Sequence, residues 1–119
     1  MWEVEYTEEF EAWWDQCNEL VQEDVAISVN QLMIYGPNLK YPHSSGINES
    51  KFSHMRELRI QHKGEPYRVL YAFDPRRVAI LLIGGCKTGK ERWYEQHVKI
   101  ADALYETYLT EIEEGISYD

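Results

Sequence analysis

The fold of this 119-residue chain is decided by residues 54–94, which read HMRELRIQHKGEPYRVLYAFDPRRVAILLIGGCKTGKERWY. Three short runs of alternating or continuous apolar residues predict β-strands, at residues 55–61, 67–73 and 78–83. Tight turns separate these runs, and Pro75 fixes the backbone angle that the second turn requires. Because short links join antiparallel neighbours, the three strands are predicted to form a meander.

The rest of the chain adds helices around this meander. Residues 2–6 predict a short strand, and Thr7 predicts the cap of a helical hairpin or kinked helix that breaks near Asn18 and ends before Gly36. Residues 36–53 predict a long loop, and residues 91–114 predict a terminal helix. The hairpin's apolar stripe is interpreted as core and comprises Phe10, Trp13, Trp14, Cys17, Leu20, Val21, Val25, Ile27, Leu32 and Met33. The sequence therefore predicts one α+β domain over residues 1–119.

The charge of the chain is strongly segregated along the sequence. The net charge is −9, yet residues 40–99 hold all 12 Lys and Arg residues and only six acids. Residues 1–39 hold nine acids and residues 100–119 hold six, with no Lys or Arg in either segment. Such a distribution predicts a positive face on an acidic protein, suited to nucleic acid. The alternative is that the opposite charges pair across the fold.

Several classes of protein are not expected from this sequence. No apolar run is long enough for a membrane span and no secretion signal is visible, so a cytoplasmic protein is expected. Cys17 and Cys86 lack metal-ligand spacing and are predicted to be reduced. Residues 84–91 resemble a phosphate-binding loop, but Glu91 stands where a magnesium-binding hydroxyl is needed. A nucleotide cofactor is therefore not expected, although backbone amides, Lys87 and Lys90 near a helix start remain able to hold a nucleic-acid phosphate.

Cations along the predicted meander form the candidate site. Without a metal site, cleavage of a phosphodiester depends on fixed cations and a proton carrier, and RNA supplies its own 2′-hydroxyl nucleophile. The residues that provide such a set are Arg56, Arg59, Arg68, Lys87, Lys90, Arg92 and Tyr94. Strand alternation places Arg68 on the face of Leu70 and Ala72, so this guanidinium needs a partner. A salt bridge to Glu57 or Glu95 is the structural alternative, and Tyr94 also fits a packing role.

The sequence resembles a known family in these same segments. The motifs ELR, YRVLYAFDPRR, LLIGG and KTG…RWYE, preceded by GPNLKYP, are similar to the phage-derived, HigB-like branch of the RelE/ParE superfamily of bacterial toxins. The resemblance covers Tyr6 to about Leu109. It implies a RelE-like fold: an N-terminal strand and helical hairpin packed on a curved antiparallel sheet, followed by a C-terminal helix. Cys86 stands where many relatives have Asp, so the role of that position is open.

The resemblance also implies a function. It implies a type II toxin that cuts messenger RNA on the ribosome without metal or cofactor and is neutralised by a helix-turn-helix antitoxin bound to the basic sheet region or the hairpin. In this interpretation Arg68, Lys87 and Tyr94 are catalytic. Arg56, Arg59, Lys90 and Arg92 bind RNA. The alternatives are a ParE-like inhibitor of gyrase and a non-catalytic binding protein of the same fold.

Overall fold

The structure is a computed structural model, and it describes residues 1–88 and 92–115. Within these residues, five strands and three α-helices follow one another: β1 (Val4–Tyr6), α1 (Glu8–Gln16), α2 (Glu19–Tyr35), β2 (Ser44–Gly46), β3 (Arg56–His62), β4 (Glu65–Phe73), β5 (Ala79–Cys86) and α3 (Arg92–Glu113). This order confirms the predicted α+β fold with its terminal helix. No helix within the described ranges is both long and apolar enough to cross a membrane.

The five strands form one sheet in the order β1-β5-β4-β3-β2. Strands β3, β4 and β5 pair antiparallel, as the predicted meander requires. Strand β1 pairs parallel with β5, so the sheet is mixed rather than wholly antiparallel. A parallel pair needs a long connection, and the chain between β1 and β5 supplies one. The meander thus occupies the centre of the sheet, and the short strands form its edges.

Each face of the sheet carries its own hydrophobic core. Leu58, Val69 and Leu81 pack beneath the α1–α2 hairpin with Phe10 and Val25. The opposite face packs against α3 through a second buried set: Leu70, Ala72, Ile80, Leu82, Val98, Ala101, Tyr105 and Tyr108. Successive side chains of β3 and β4 therefore point alternately toward the α1–α2 hairpin and toward α3. Covering both faces explains why β5 is almost wholly apolar.

The helical hairpin begins and breaks where side-chain caps are available. The Thr7 hydroxyl accepts a hydrogen bond from the backbone amide of Phe10 at 3.0 Å. The Asn18 side-chain oxygen accepts one from the amide of Val21 at 2.9 Å. These contacts confirm the predicted start and the predicted break near Asn18. The predicted stripe is wrong at two positions, because Leu20 is 51% exposed and Ile27 is 60% exposed. Both residues belong to α2. Because α2 is a separate helix that begins after Asn18, its buried face does not continue the 3.6-residue spacing of α1.

The segment predicted as a loop, residues 36–53, contains short regular structure. A 3₁₀ turn covers Gly36–Asn38, and β2 pairs with β3 as the edge of the sheet. Three residues, Ser-Ser-Gly, are too few to show the apolar alternation that identifies a strand in a sequence. The end of the segment is held against α3, where Ser50 donates a hydrogen bond to Asp102 at 2.5 Å.

Strand β5 runs through two glycines that the sequence placed after the strand. Gly84 lies under the Trp13 ring and Gly85 under Trp93, whose Nε1 would lie 2.8 Å from a Cβ at position 85. Glycine is required at both positions because the indoles occupy the space of a side chain. The close approach extends β5 to Cys86 and brings the first turn of α3 down onto the sheet.

Gly36 ends α2 in a backbone conformation that other residues adopt poorly. Its φ is 54° and its ψ is −131°, and a Cβ there would overlap the indole of Trp2. Glycine alone reaches this region without strain. Gly36 therefore fixes the direction in which the chain leaves α2 toward β2.

We expect Gly36→Ala to lower the free energy of unfolding by about 1–3 kcal/mol, since the substitution combines backbone strain with overlap at Trp2. Urea unfolding monitored by circular dichroism measures the change. Gly46→Ala is the matched control, because a Cβ at Gly46 meets its nearest neighbour at 3.8 Å. Equal stability of the two variants would contradict the conclusion that position 36 requires glycine.

Candidate functional site

A buried carboxylate, Glu57 of β3, lies at the centre of the predicted site residues. The Tyr94 hydroxyl donates to its Oε1 at 2.7 Å. Its Oε2 accepts the Ser45 hydroxyl at 2.7 Å and Arg59 Nη1 at 3.2 Å. Arg68 Nε lies 3.5 Å from Oε1. We call Glu57, Ser45, Arg59, Arg68 and Tyr94 the Glu57 cluster.

Strand pairing dictates this arrangement. Arg59 and Arg68 are direct partners across β3 and β4, and like charges in that relation repel. Glu57, two residues before Arg59, projects from the same face and places a carboxylate beside both guanidinium groups. Arg68 is only 4% exposed, and its Nη1 donates to the carbonyl of Tyr67 at 3.0 Å. Among residues 1–88 and 92–115 its Nε has no hydrogen-bond partner, and the Glu57 charge is its electrostatic compensation.

The first turn of α3 delivers Tyr94 to the cluster. Trp93 is buried against Gly85, and the His97 ring stacks on it with ring centroids 4.1 Å apart. Burial, followed by the hydrogen bond to Glu57 and its negative charge, raises the pKa of Tyr94 to about 12, and Arg68 opposes the shift. Tyr94 is therefore a neutral phenol at physiological pH, and it donates its proton to Glu57.

Two cations of the site, Lys87 and Arg59, lie over aromatic rings. Lys87 Nζ lies 5.0 Å from the centroid of the Tyr94 ring, and Arg59 Cζ lies 5.0 Å from that of Tyr41. Tyr41 is 71% exposed, and Lys87 is half-buried. The contacts are of cation–π geometry, which holds a charge in place without neutralising it. The result is a positively charged surface with an exposed ring at one side.

The structure brings four of the seven predicted site residues together: Arg59, Arg68, Lys87 and Tyr94. Arg56 lies on the other face of the sheet, where its Nε donates to Ser44 Oγ at 3.1 Å. Arg92 is exposed at the start of α3. Lys90 lies outside the described residues. The salt bridge that the sequence offered as an alternative for Arg68 is present, and its partner is Glu57.

Sequence reasoning named Glu57 only as a possible salt-bridge partner of Arg68, and it missed Ser45 and Tyr41. The Glu-Leu-Arg pattern of β3 did carry a signal for Glu57, because residues two apart share a strand face. Ser45 and Tyr41 lie in the segment predicted as loop and had none. The amide of Lys87 donates to the carbonyl of Pro66 at 2.7 Å, so it continues the sheet and does not serve as a phosphate-binding amide.

The thiol of the neighbouring Cys86 is unreactive. Burial, followed by a hydrogen bond to Glu65, raises the pKa of its thiol to about 11. A thiol with that pKa is protonated at neutral pH and is a poor nucleophile. Within residues 1–88 and 92–115, no group of three His, Cys, Asp or Glu side chains is placed to hold a metal ion. The described side chains of the site that bear charge or a transferable proton are cations, a phenol and a carboxylate.

Comparison with known proteins is consistent across sequence and structure. The profile of the family described as phage derived protein Gp49-like (DUF891) matches residues 12–106. The chain is 40% identical over 100 residues to a protein of Mycobacterium tuberculosis named as the candidate toxin HigB3, covering 83% of this chain and 86% of the relative. It is 33% identical over 109 residues to the candidate toxin HigB2 of the same organism, covering 90% of this chain and 54% of that protein.

Solved structures share the fold at low sequence identity. The isolated Escherichia coli RelE toxin aligns with a TM-score of 0.54 at 15% identity, covering 84% of this chain and 99% of RelE. The E. coli RelBE toxin–antitoxin complex contains a chain that aligns with a TM-score of 0.53 at 13% identity, covering 71% of this chain and 95% of that one. From its sequence, this chain belongs to the phage-derived Gp49-like family, together with the HigB-named toxins that it resembles, and it has the fold of the RelE toxin.

Proposed function

We propose that this protein is the toxin of a type II toxin–antitoxin system and that it cleaves messenger RNA on the ribosome without a metal ion. The observation that carries this proposal is the Glu57 cluster, in which a buried carboxylate is hydrogen-bonded to a phenol. Lys87 and Arg59 lie beside this pair, each over an aromatic ring. The relatives named as toxins support the biological class. The reaction is inferred from the chemistry of the site.

The charge of the site suits a phosphodiester. Arg59, Arg68 and Lys87 supply three cations around the single carboxylate of Glu57, which leaves the site with a net charge of +2. Fixed cations stabilise the additional negative charge of a pentacoordinate phosphorane. Arg59 and Lys87 are the accessible members and are proposed to contact the phosphate. The deeply buried Arg68 is proposed to position Glu57.

Tyr94 and Glu57 are proposed to move the proton of the nucleophile. The 2′-hydroxyl gives its proton to the Tyr94 oxygen while Tyr94 passes its own proton to Glu57, and the freed 2′-oxygen attacks phosphorus. The bond to the 5′-oxygen then breaks, and the leaving oxygen takes a proton from the Lys87 ammonium or from water. The products are a 2′,3′-cyclic phosphate and a 5′-hydroxyl. A phenol with a pKa of about 12 suits this relay better than direct action as a base.

Single-stranded RNA is the substrate that this surface favours. Tyr41 is exposed and lies under Arg59, so a base can stack on the ring while the guanidinium contacts the neighbouring phosphate. An mRNA held by a translating ribosome presents an extended single strand, and its 2′-hydroxyl is the nucleophile that DNA lacks. This proposal places the protein at work in the cytoplasm.

An antitoxin is the proposed protein partner, and the groove beside the helical hairpin is suited to it. The groove encloses about 560 Å³ between α1, α2 and β1, with Phe10, Trp14 and Met33 in its walls and Glu11 and Asp15 among its lining residues. Residues 1–39 contain no Lys or Arg, so the surrounding surface is acidic. A basic amphipathic helix from a helix-turn-helix antitoxin matches an apolar groove with an acidic border.

We expect Lys87→Ala to reduce cleavage of ribosome-bound mRNA by about 10²-fold, the usual loss when one charge-stabilising group is removed. Mapping of transcript 5′ ends after induction in cells, and timed cleavage on purified ribosomes, measure the change. Lys99→Ala is the matched control, since Lys99 is an exposed cation on α3. Absence of new 5′ ends with the wild-type protein would overturn the nuclease proposal, and DNA damage in their place would favour a gyrase inhibitor.

We expect the phenol of Tyr94 to titrate near pH 12 in the folded protein, and its pKa to fall in Glu57→Gln, which removes the carboxylate charge. The difference in ultraviolet absorption between each protein and its Tyr94→Phe counterpart isolates this group. An unfolded tyrosine titrates near 10, so stability from the neutral phenol is complete below about pH 10 and is lost as pH rises to about 12.

The control for this titration is Ser45→Ala, which removes a hydrogen bond to Glu57 Oε2 but keeps the charge. Its Tyr94 pKa is expected to stay near 12. Circular dichroism confirms that each variant is folded before it is titrated. A Tyr94 that titrates near 10 in the wild-type protein would remove the basis of the proposed proton relay.

We expect an antitoxin encoded beside this gene to form a stable complex and to block mRNA cleavage. Trp14→Glu in the groove weakens that complex by about 10²-fold, because it adds a charge to an apolar contact surface. Isothermal titration calorimetry measures the affinity, and ribosome cleavage without antitoxin tests whether the variant remains active. Unchanged affinity would place the antitoxin on another surface.

A further inference from the structure

A second cavity lies at the edge of the sheet where β2 pairs with β3. It encloses about 250 Å³, and its walls include Gly46, Ser53, His54, Arg56 and Phe73. None of the described residues that line it is an acid. This volume is ample for a phosphate group, and Arg56 gives the wall a positive charge.

Arg56 is fixed in place by neutral acceptors. Its Nε donates to Ser44 Oγ at 3.1 Å, and its Nη2 donates to the carbonyl of Leu39 at 3.4 Å. Ser44 Oγ is itself within 2.7 Å of the Tyr71 hydroxyl, and both residues are fully buried. The guanidinium is thereby oriented by a rigid support. Its charge stays available for a ligand.

No carboxylate among the described residues forms an ion pair with Arg56. Three other arginines differ in this respect: Arg59 and Arg68 share Glu57, and Arg76 is paired with Asp74 and Glu5. A guanidinium held by neutral groups keeps its full charge and its remaining N–H donors. That arrangement favours bidentate binding of an oxyanion.

The surroundings leave this guanidinium accessible from the cavity. Gly46 is the direct partner of Arg56 across the β2–β3 pair, and a Cβ at Gly46 would lie 3.8 Å from Arg56 Nη1. The absence of a side chain at Gly46 keeps that side of the guanidinium open. His54 is oriented because Tyr105 donates its hydroxyl proton to the Phe73 carbonyl and so accepts a proton from His54 Nε2.

We propose that this cavity is a phosphate-binding subsite in which Arg56 is the principal ligand, assisted by Ser53 and His54. The favoured source is the backbone of an RNA strand that crosses the β2 edge, and this assignment rests on the proposed nuclease function. The amide of Arg59 donates to the His43 carbonyl at 2.9 Å, while Gly46 pairs with Arg56, so one short edge joins both cations. Three residues of strand separate their Cα atoms by about 10 Å, and their side chains lie on opposite faces, so an RNA strand that contacts both passes from one face of the sheet to the other at this edge.

The test is an NMR titration of the full chain, made by cell-free synthesis, with inorganic phosphate and separately with a 2′-O-methyl RNA oligonucleotide that cannot be cleaved. We expect saturable shifts of the amides of Gly46, Ser53 and His54 with both probes. Gly46→Glu, which places a carboxylate beside Arg56, is expected to weaken phosphate binding at least 10-fold. Gly46→Ala is expected to retain it, and Arg56→Gln is a second variant that removes the charge directly.

Each outcome separates the alternatives. Phosphate that causes no saturable shifts, or that binds Gly46→Glu as tightly as wild type, would overturn the subsite. Phosphate binding without any effect of RNA at these amides would overturn the RNA source and assign the cavity to a free anion. Because neither probe is cleaved, a failure of the nuclease proposal leaves this measurement unchanged.

Discussion

The structure depends on one buried carboxylate shared by two arginines. Removing Glu57, Arg59 and Arg68 from water is costly, and an ion pair recovers that cost only when its geometry is good and its other lone pairs are used. Here both oxygens of Glu57 are engaged, by Tyr94 on one side and by Ser45 and Arg59 on the other. The central strands can therefore carry guanidinium groups on a covered face of the sheet, because these contacts offset the cost of burying the charges.

The same constraint joins three parts of the chain that are distant in sequence. Glu57 belongs to the meander, Ser45 to the edge strand, and Tyr94 to the first turn of α3. The glycine at position 85 allows Trp93 to approach the sheet, and that approach sets the distance at which Tyr94 reaches the carboxylate. The position of the site is thus a consequence of how α3 docks. A group that must move protons gains from such support, since small displacements of reacting atoms carry large penalties in rate.

The order of elements and most of the core could be predicted from the sequence because periodicity and turn residues are local signals. Thr7, Asn18 and the meander are examples. Strand alternation also indicated that Arg68 needed a partner, and it offered Glu57. Arg56 and Arg59 are an odd number of residues apart, so alternation places their side chains on opposite faces of the strand, yet both were predicted to bind RNA at one site. Tyr41 and Ser45 were beyond reach, since only the pairing of β2 with β3 brings that segment to the site.

The segregation of charge acquires a physical meaning once these positions are known. Most acidic residues of the described chain lie on the helices, whereas Arg56 and Lys87, for which the described residues provide no ion pair, lie on the sheet or beside it. An anionic protein of net charge −9 is repelled by RNA at long range, so its association with a polyanion cannot rely on overall attraction. Contact must then be made locally, within a few ångströms of the sheet cations, where the fixed geometry of the guanidinium groups decides which phosphate is held. The proposed substrate, an mRNA presented by the ribosome, satisfies that requirement better than free RNA in solution.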